Sequence, residues 1–526
     1  MRTVNRTHTI LRNILSNWTG YAVQIGVTFF LTPFVLHHLG DMRYGVWVII
    51  TSVTGYYGLL ALGFQGGVNL YLTRYLATRD FENMNMVAST AVVTLSCIGM
   101  LVTAVSIAIA WLSSAIFNIP TGMVDEAFWC VIISGISIAF QLSLFPFSAT
   151  FMSTQRYDIA NLIGVLTRLL SAGLVYGALK LGYGLIGVSV AVAGSNIVDY
   201  CVRWRIAYRL IPELELSLKL SNMNTFREIF SFGTWTFMIS IAHSIFYYMD
   251  SIIIAALMPV AALTPYALAA GVVRQLEGLL NQIEMVFYPA VTQLHAQNEL
   301  DTLRLVYLKG SRFLLVTVSI SAVITGFWAE DFYRLWLGKN YVIGSEYPSV
   351  ALLFQILLVA MIARFLPGIS SQVLLGSVRV KPLAILVFAE AMSNAFLSIV
   401  LIRNYGLVGV AWATLVSTLV FHSFILPIIV GWQLDVALRD YIRLVALKPI
   451  VVALALSLAV SWIRQLGHPK SFTELIAQGA LALLVAAPLA LFVGLTGEDR
   501  THFVYKPINA TWHWIAAKIL SKPTLP

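Results

Sequence analysis

The chain repeats an apolar run of about twenty residues or more along nearly its whole length, and that pattern leaves few folds open. The runs fall at about 14–38, 44–70, 86–112, 127–151, 159–179, 183–204, 229–257, 263–294, 311–333, 347–374, 383–402, 405–431, 445–463 and 476–496. Each can cross a hydrocarbon core of about 30 Å as a helix. Lipid offers no hydrogen bonds to the backbone, so a spanning segment must satisfy its own N–H and C=O groups, as a helix does. Charged residues make up only 11% of the chain, against about 25% in a soluble domain. The expected fold is an all-α polytopic membrane protein with about 14 transmembrane helices. Nucleic-acid binding is excluded as a reading, because the basic residues sit in short loops between apolar runs.

Those loops also set orientation. With the N-terminus placed in the cytoplasm, 23 of the 33 Lys and Arg fall on the cytoplasmic side and seven outside. Arg168, Arg274 and Arg364 lie within spans. This bias predicts cytoplasmic termini. The N-terminal run follows Arg2, Arg6 and Arg12, is too long for a signal-peptide core and has no convincing cleavage site, so it reads as a retained first span. Cys97, Cys130 and Cys201 fall in or at the ends of spans. They suggest neither a disulfide framework nor a zinc site, and no metal or cofactor is expected. Trp47, Trp328, Trp336 and Trp432 near span ends read as interface anchors.

The stretch 271–291 carries the densest polar pattern at membrane depth. Arg274, Glu277, Asn281, Glu284 and Tyr288 recur at steps of three and four, which places them on one helical face. An intramembrane charge costs roughly 2.5–3.5 kcal/mol on insertion scales and normally faces protein or a watery cavity. Two readings stand: a cavity lining, or internal pairing of Arg274 with Glu277.

An internal repeat organises the whole. Residues 182–198 read GYGLIGVSVAVAGSNIV and residues 404–420 read NYGLVGVAWATLVSTLV, with eight of seventeen positions identical. They open the sixth and twelfth spans, an offset of six, so the halves insert in the same orientation as a parallel repeat. The expected layout is an N-lobe at 1–204, a cytoplasmic linker at 205–228 and a C-lobe at 229–431. Two extra spans at 432–496 and a cytoplasmic tail at 497–526 follow. In that tail, 508–520 with Trp512, Trp514 and Lys518 reads as an interfacial helix. The alternation within 212–220 suggests that part of the linker lies at the membrane interface.

Several ordered motifs then carry a resemblance. Asn17-Trp18, Pro33-Phe34-Val35-Leu36, Leu39-Gly40-Asp41 and Tyr44-Gly45-Val46-Trp47 are followed by 55–64 (GYYGLLALGF), then by Asp250-Ser251-Ile252-Ile253-Ile254, Tyr266-Ala267-Leu268-Ala269 and Pro289. Together with the Gly-Leu-x-Gly entries to spans six and twelve, they resemble the Wzx-like oligosaccharide flippases of bacterial polysaccharide biosynthesis. That group is a branch of the multidrug/oligosaccharidyl-lipid/polysaccharide exporter superfamily. The resemblance covers roughly residues 10–435; Ala61 stands where that family often has an acidic residue. It implies two six-helix lobes, and movement of undecaprenyl-pyrophosphate-linked oligosaccharide across the inner membrane by alternating access. The partners it implies are that lipid-linked glycan, membrane lipid, and the polymerase and glycosyltransferases of the same pathway.

The candidate residues follow from that chemistry. A pyrophosphate calls for arginines, whose planar fork donates paired hydrogen bonds and stays charged. Arg274, Arg364 and Arg168 are the candidates, with Asn281, Asn17 and Gln24 as polar lining; Asn17 and Gln24 are seven apart and share a face. Asp250, Glu277, Glu284 and Glu390 are candidates for ion coupling, with structural pairing as the other reading: Asp250 with Arg274, Glu390 with Arg364. The rival functions are a drug or cation antiporter of the same superfamily and a polytopic glycosyltransferase or polymerase. The outer loop richest in charge, 330–346, has no clustered His/Asp site and no Gly-rich phosphate loop appears, so no enzyme activity is expected.

Overall fold

A computed structural model describes residues 6–231, 234–343, 346–377, 379–465 and 467–501. The tail stretch 508–520 and Arg2 lie outside the described residues. Among those described, every regular element is helical, and the chain divides into two compact units, Met1–Ala267 and Leu268–Pro526.

The first unit holds α1 (Arg6–Gly55), α2 (Leu59–Thr78), α3 (Phe81–Ile116), α4 (Val124–Ser153), α5 (Tyr157–Lys180), α6 (Gly184–Leu210), α7 (Met223–Ser231) and α8 (Thr234–Leu257). α3 packs on α4, α4 on α6, α6 on α5 and α5 on α1. The α3–α4 contact is close because small residues face each other: a Cβ on Gly135 would lie 2.1 Å from Ser106 Oγ, and one on Gly99 would lie 2.8 Å from the Ala139 carbonyl. Close backbone approach over small residues replaces the hydrophobic drive that lipid does not supply. α3 is started by Asp80, whose carboxylate accepts from the Asn83 amide at 3.1 Å.

The second unit holds most of α9 (Leu263–Met285), then α10 (Phe287–Ala296), α11 (Leu300–Phe327), α12 (Ala329–Leu337), α13 (Asn340–Ile343), α14 (Val350–Phe365), α15 (Ser370–Gly376), α16 (Val380–Thr418), α17 (Leu426–Leu434), α18 (Leu438–Tyr441), α19 (Leu447–Arg464), α20 (Phe472–Pro488) and α21 (Gly497–Arg500). α11 packs on α19 and α14, α14 on α16, and α20 on α19. The last two spans are pinned to α11. Trp328 Nε1 donates to Gln478 Oε1 at 2.9 Å, Arg312 Nη1 donates to Asp499, and Gly494 lies against Val316 and Val452. Trp328 is therefore a buried hydrogen-bonding residue and not an interface anchor, whereas Trp432 is 83% exposed.

Ten helices among the described residues are long and apolar enough to cross a membrane, or eleven if the bent pair Val350–Phe365 and Ser370–Gly376 is one span. Two of these runs, Ser16–Gly58 and Val380–Leu434, are 43 and 55 residues long. At 1.5 Å per residue each far exceeds a core of about 30 Å. Each is broken by a glycine with positive φ, Gly40 at 72° and Gly406 at 55°, so Val380–Leu434 contains the eleventh and twelfth expected spans, and Ser16–Gly58 contains the first and the opening of the second. Gly184, which opens the sixth span, has the same φ of 55° as Gly406, which opens the twelfth. In both copies the second glycine of the motif is hemmed in. A Cβ on Gly187 would lie 2.5 Å from Tyr183 Cβ, and one on Gly409 would lie 2.4 Å from the Leu401 carbonyl oxygen. The repeated sequence thus encodes a repeated device: a left-handed residue for the turn, then a close return against the preceding segment.

Two sequence expectations change. The stretch 271–291 is not one helix: α9 ends at Met285 and α10 begins at Phe287. Pro289 lacks the N–H that would bond the Met285 carbonyl, which favours a break there. The 205–228 linker is also reshaped. α6 runs to Leu210, and the following segment is strapped along α3: Asn85 bonds both the Glu213 carbonyl and the Glu215 amide, Ser89 accepts from the Ser217 amide and Thr90 from the Asn222 amide. The compact-unit boundary falls after Ala267 because α8 packs on α1 and α2. Gly55 lies against the Tyr248 ring and Gly67 against Ile229. A repeat counts helices by sequence, whereas packing follows neighbours, so the two boundaries differ.

Candidate functional site

In the first unit, three candidates named from sequence come together on the seam between α1 and α5. Asn161 Nδ2 donates to Asn17 Oδ1 at 2.5 Å, and Arg168 Nη1 donates to Gln24 Oε1 at 2.8 Å. Both pairs are 144 residues apart, as two parallel helices in register require. Arg168 is exposed and its hydrogen-bond partner is a neutral amide; the Asp199 carboxylate is near enough to act on it electrostatically. Asp199 accepts hydrogen bonds from Arg203 at 2.6 Å and from Thr167 at 3.0 Å. Asp250 is buried and accepts from the Tyr266 hydroxyl at 2.6 Å, in a setting that suits a structural acid.

In the second unit, the α9 stripe divides. Arg274 is exposed and Asn281 half-buried, while Glu277 and Glu284 are 7% and 8% exposed. At about 100° per residue, Asn281 lies about 20° from Arg274, whereas Glu277 and Glu284 lie about 60° and 80° away. They occupy the edge next to buried Val273 and Leu280. Glu284 accepts from Gln372 Nε2 of α15 at 3.2 Å.

Glu390 anchors the other polar cluster. It is fully buried, with His422 Nδ1 at 2.6 Å, Thr418 Oγ1 at 3.1 Å and Arg364 Nη1 at 3.9 Å. The expected Arg364–Glu390 partnership is present, but His422 is the nearer group. His422 lies on a π-helical segment, Leu419–Ile425, that interrupts the last span of the repeat. The wider turn re-aims its side chains, and such segments recur at functional sites. Ser423 ties it to α14 by donating to the Ala363 carbonyl at 2.7 Å. Asn394, Ser398 and Thr414 continue this polar interior beside Glu390. Sequence reading missed Asn161, Gln372 and His422. Asn161 was findable, because Asn161 and Arg168 are seven apart, as Asn17 and Gln24 are. His422 had no such signal, since its direction depends on the π turn.

The match to the family model described as "Polysaccharide biosynthesis protein" covers residues 10–295. The chain belongs to that family. Among relatives, the membrane protein EpsK of Bacillus subtilis is 21% identical over 505 residues, covering 93% of this chain and 96% of that protein. A Shigella flexneri protein named as an O-antigen transporter is 23% identical over 422 residues, covering 76% and 93%. Among solved structures, the lipid II flippase MurJ in an inward closed conformation superposes with a TM-score of 0.68 at 14% identity, covering 91% of this chain and 98% of that one. An inward-facing multidrug resistance MATE family transporter gives 0.60 at 16% identity, covering 78% and 95%. This member of the polysaccharide biosynthesis family therefore has the fold of that transporter superfamily, and it is a multi-pass membrane protein.

Proposed function

We propose that the chain is a flippase moving an undecaprenyl-pyrophosphate-linked oligosaccharide across the cytoplasmic membrane for polysaccharide export, with both termini cytoplasmic. One observation carries the reading. Arg168 and Arg274 are exposed, while Asp250, Glu277, Glu284 and Glu390 are all buried. The charge these candidates offer a ligand is therefore positive. An exposed arginine at membrane depth calls for water or an anion beside it, and a pyrophosphate supplies paired acceptors for the guanidinium fork. A cation-exporting antiporter needs the opposite arrangement, with carboxylates open to the ligand. Arg364, close to Glu390, serves that acid first and the substrate second.

We assign ion coupling to the Glu390 cluster, where Arg364, His422 and Thr418 surround one carboxylate. Asn17, Gln24 and Asn281 supply neutral polar contacts. Alternating access moves the glycan and pyrophosphate while the lipid tail stays in the bilayer, and no bond is made or broken. Genes for a polymerase and glycosyltransferases beside this one would fit the reading. The test is transport by the reconstituted protein: lipid-linked glycan should cross, and Arg168→Gln should slow it. Export of a cationic drug with no glycan movement would favour the antiporter.

A further inference from the structure

The α1–α5 seam does not stop at Arg168. Ten residues beyond Gln24, the Phe34 ring stacks on Tyr176 of α5 with centroids 4.6 Å apart and planes inclined by 26°. Lys180 Nζ lies 5.7 Å from the Phe34 centroid and 6.0 Å from that of Tyr176. The His38 ring lies with its centroid 4.1 Å from that of Phe34, tilted by 37°, and its Nδ1 is within 2.9 Å of the Phe34 carbonyl. Tyr176 is 52% exposed, and His38 and Lys180 are exposed with it. The seam therefore carries three stations along its length: amide with amide at Asn17–Asn161, amide with cation at Gln24–Arg168, and stacked rings beside a cation at Phe34–Tyr176–Lys180. From Asn17 to Phe34 the helix rises about 25 Å, close to the thickness of the hydrocarbon core.

We propose that this seam is a track for the polar head of the substrate, and that Phe34, Tyr176 and Lys180 form a station for a sugar ring joined to phosphate. The proposal rests on the flippase reading. A pyranose presents a face of C–H groups that packs on the electron-rich face of an aromatic ring, and the neighbouring ammonium takes a phosphate oxygen. With a cytoplasmic N-terminus the station stands at the outer end, where the head group leaves. An interface anchor also uses aromatic and lysine side chains, but it needs neither rings stacked across two helices nor two polar pairs between the same helices below.

The experiment uses full-length protein in liposomes and two probes: undecaprenyl pyrophosphate without sugar, and the lipid-linked oligosaccharides extracted from the source cells. Tyr176→Leu should slow the glycan-bearing lipid about tenfold and leave the sugarless lipid unchanged, while Tyr176→Phe should move both normally. Equal losses on both lipids, or no loss on either, would overturn the station. A photo-reactive phenylalanine in place of Tyr176 gives a second reading that does not need transport. If the wild type moves neither lipid, the flippase reading has failed. The station then stands only if the glycan-bearing lipid crosslinks at 176 and the sugarless lipid does not.

Discussion

Arg168 donates to Gln24 across 2.8 Å between two parallel helices, so a mid-membrane cation is oriented by an uncharged partner. Its hydrogen bond goes to an amide, and the Asp199 carboxylate acts on it electrostatically while bonding Arg203; under the flippase reading the guanidinium is left open to an anionic ligand. Replacing either exposed arginine, Arg168→Gln or Arg274→Gln, should slow lipid-linked glycan transport about ten- to a hundredfold, the worth of a charge-assisted contact of about 1.5–3 kcal/mol. Thermal stability should change little, because neither side chain fills a core. A transport assay beside a melting curve checks both halves.

Glu390 predicts the reverse balance. It is buried among Arg364, His422 and Thr418. Glu390→Ala leaves that interior without its acid, at a cost of about 3–5 kcal/mol. The variant should melt well below the wild type and yield less folded protein, as size-exclusion profiles and melting curves would show. Glu390→Gln, which keeps the shape and the Thr418 bond, should fold better than the alanine variant yet lose ion-coupled transport.

The repeat can be tested through its glycines. Gly184→Ala and Gly406→Ala each force a side chain to a positive φ of 55°, and at Gly406, where ψ is −138°, the backbone sits in a region that glycine alone adopts readily. Gly409→Ala should also destabilise, since its Cβ would meet the Leu401 carbonyl oxygen at 2.4 Å. Each of the three variants should melt below the wild type.

Acid should loosen the C-terminal lock. Burial alone would raise the Asp499 carboxyl, but hydrogen bonds from Thr496 and from Arg312 outweigh it and hold the group below its usual 3.8. A carboxylate depressed in the folded state stabilises fully above its unfolded pKa, and that contribution fades as pH falls through the folded value. The wild type should therefore lose stability below about pH 4. Asp499→Asn should be less stable at neutral pH and lose less on acidification, as melting curves from pH 7 to 3 would show.

The membrane class, the helical fold and the repeat were legible because hydrocarbon thickness and backbone satisfaction leave few choices, and because the glycine pair is a local device with a local signature. Arg168, Asn17 and Gln24 stood out in the sequence because polar groups at membrane depth are rare, but their meeting partners across α1 and α5 was not read from it. What sequence could not give was direction around a helix at finer grain than one face. The α9 stripe looked uniform, yet a difference of about 60–80° puts Arg274 outside and Glu277 and Glu284 inside. His422 depends on a π turn that has no sequence signature. The strap on Asn85, Ser89 and Thr90 depends on a tertiary contact more than a hundred residues away in sequence.

The central claim is that the chain carries an anionic lipid-linked glycan across the bilayer. The direct measurement is the rate at which purified full-length protein in liposomes moves a polyprenyl-pyrophosphate-linked oligosaccharide from one leaflet to the other. Movement above that of protein-free liposomes, slowed by Arg168→Gln and by Arg274→Gln, is the predicted result. No movement of any lipid-linked glycan from the source cells, together with sugar transfer or cationic-drug export by the same preparation, would contradict it.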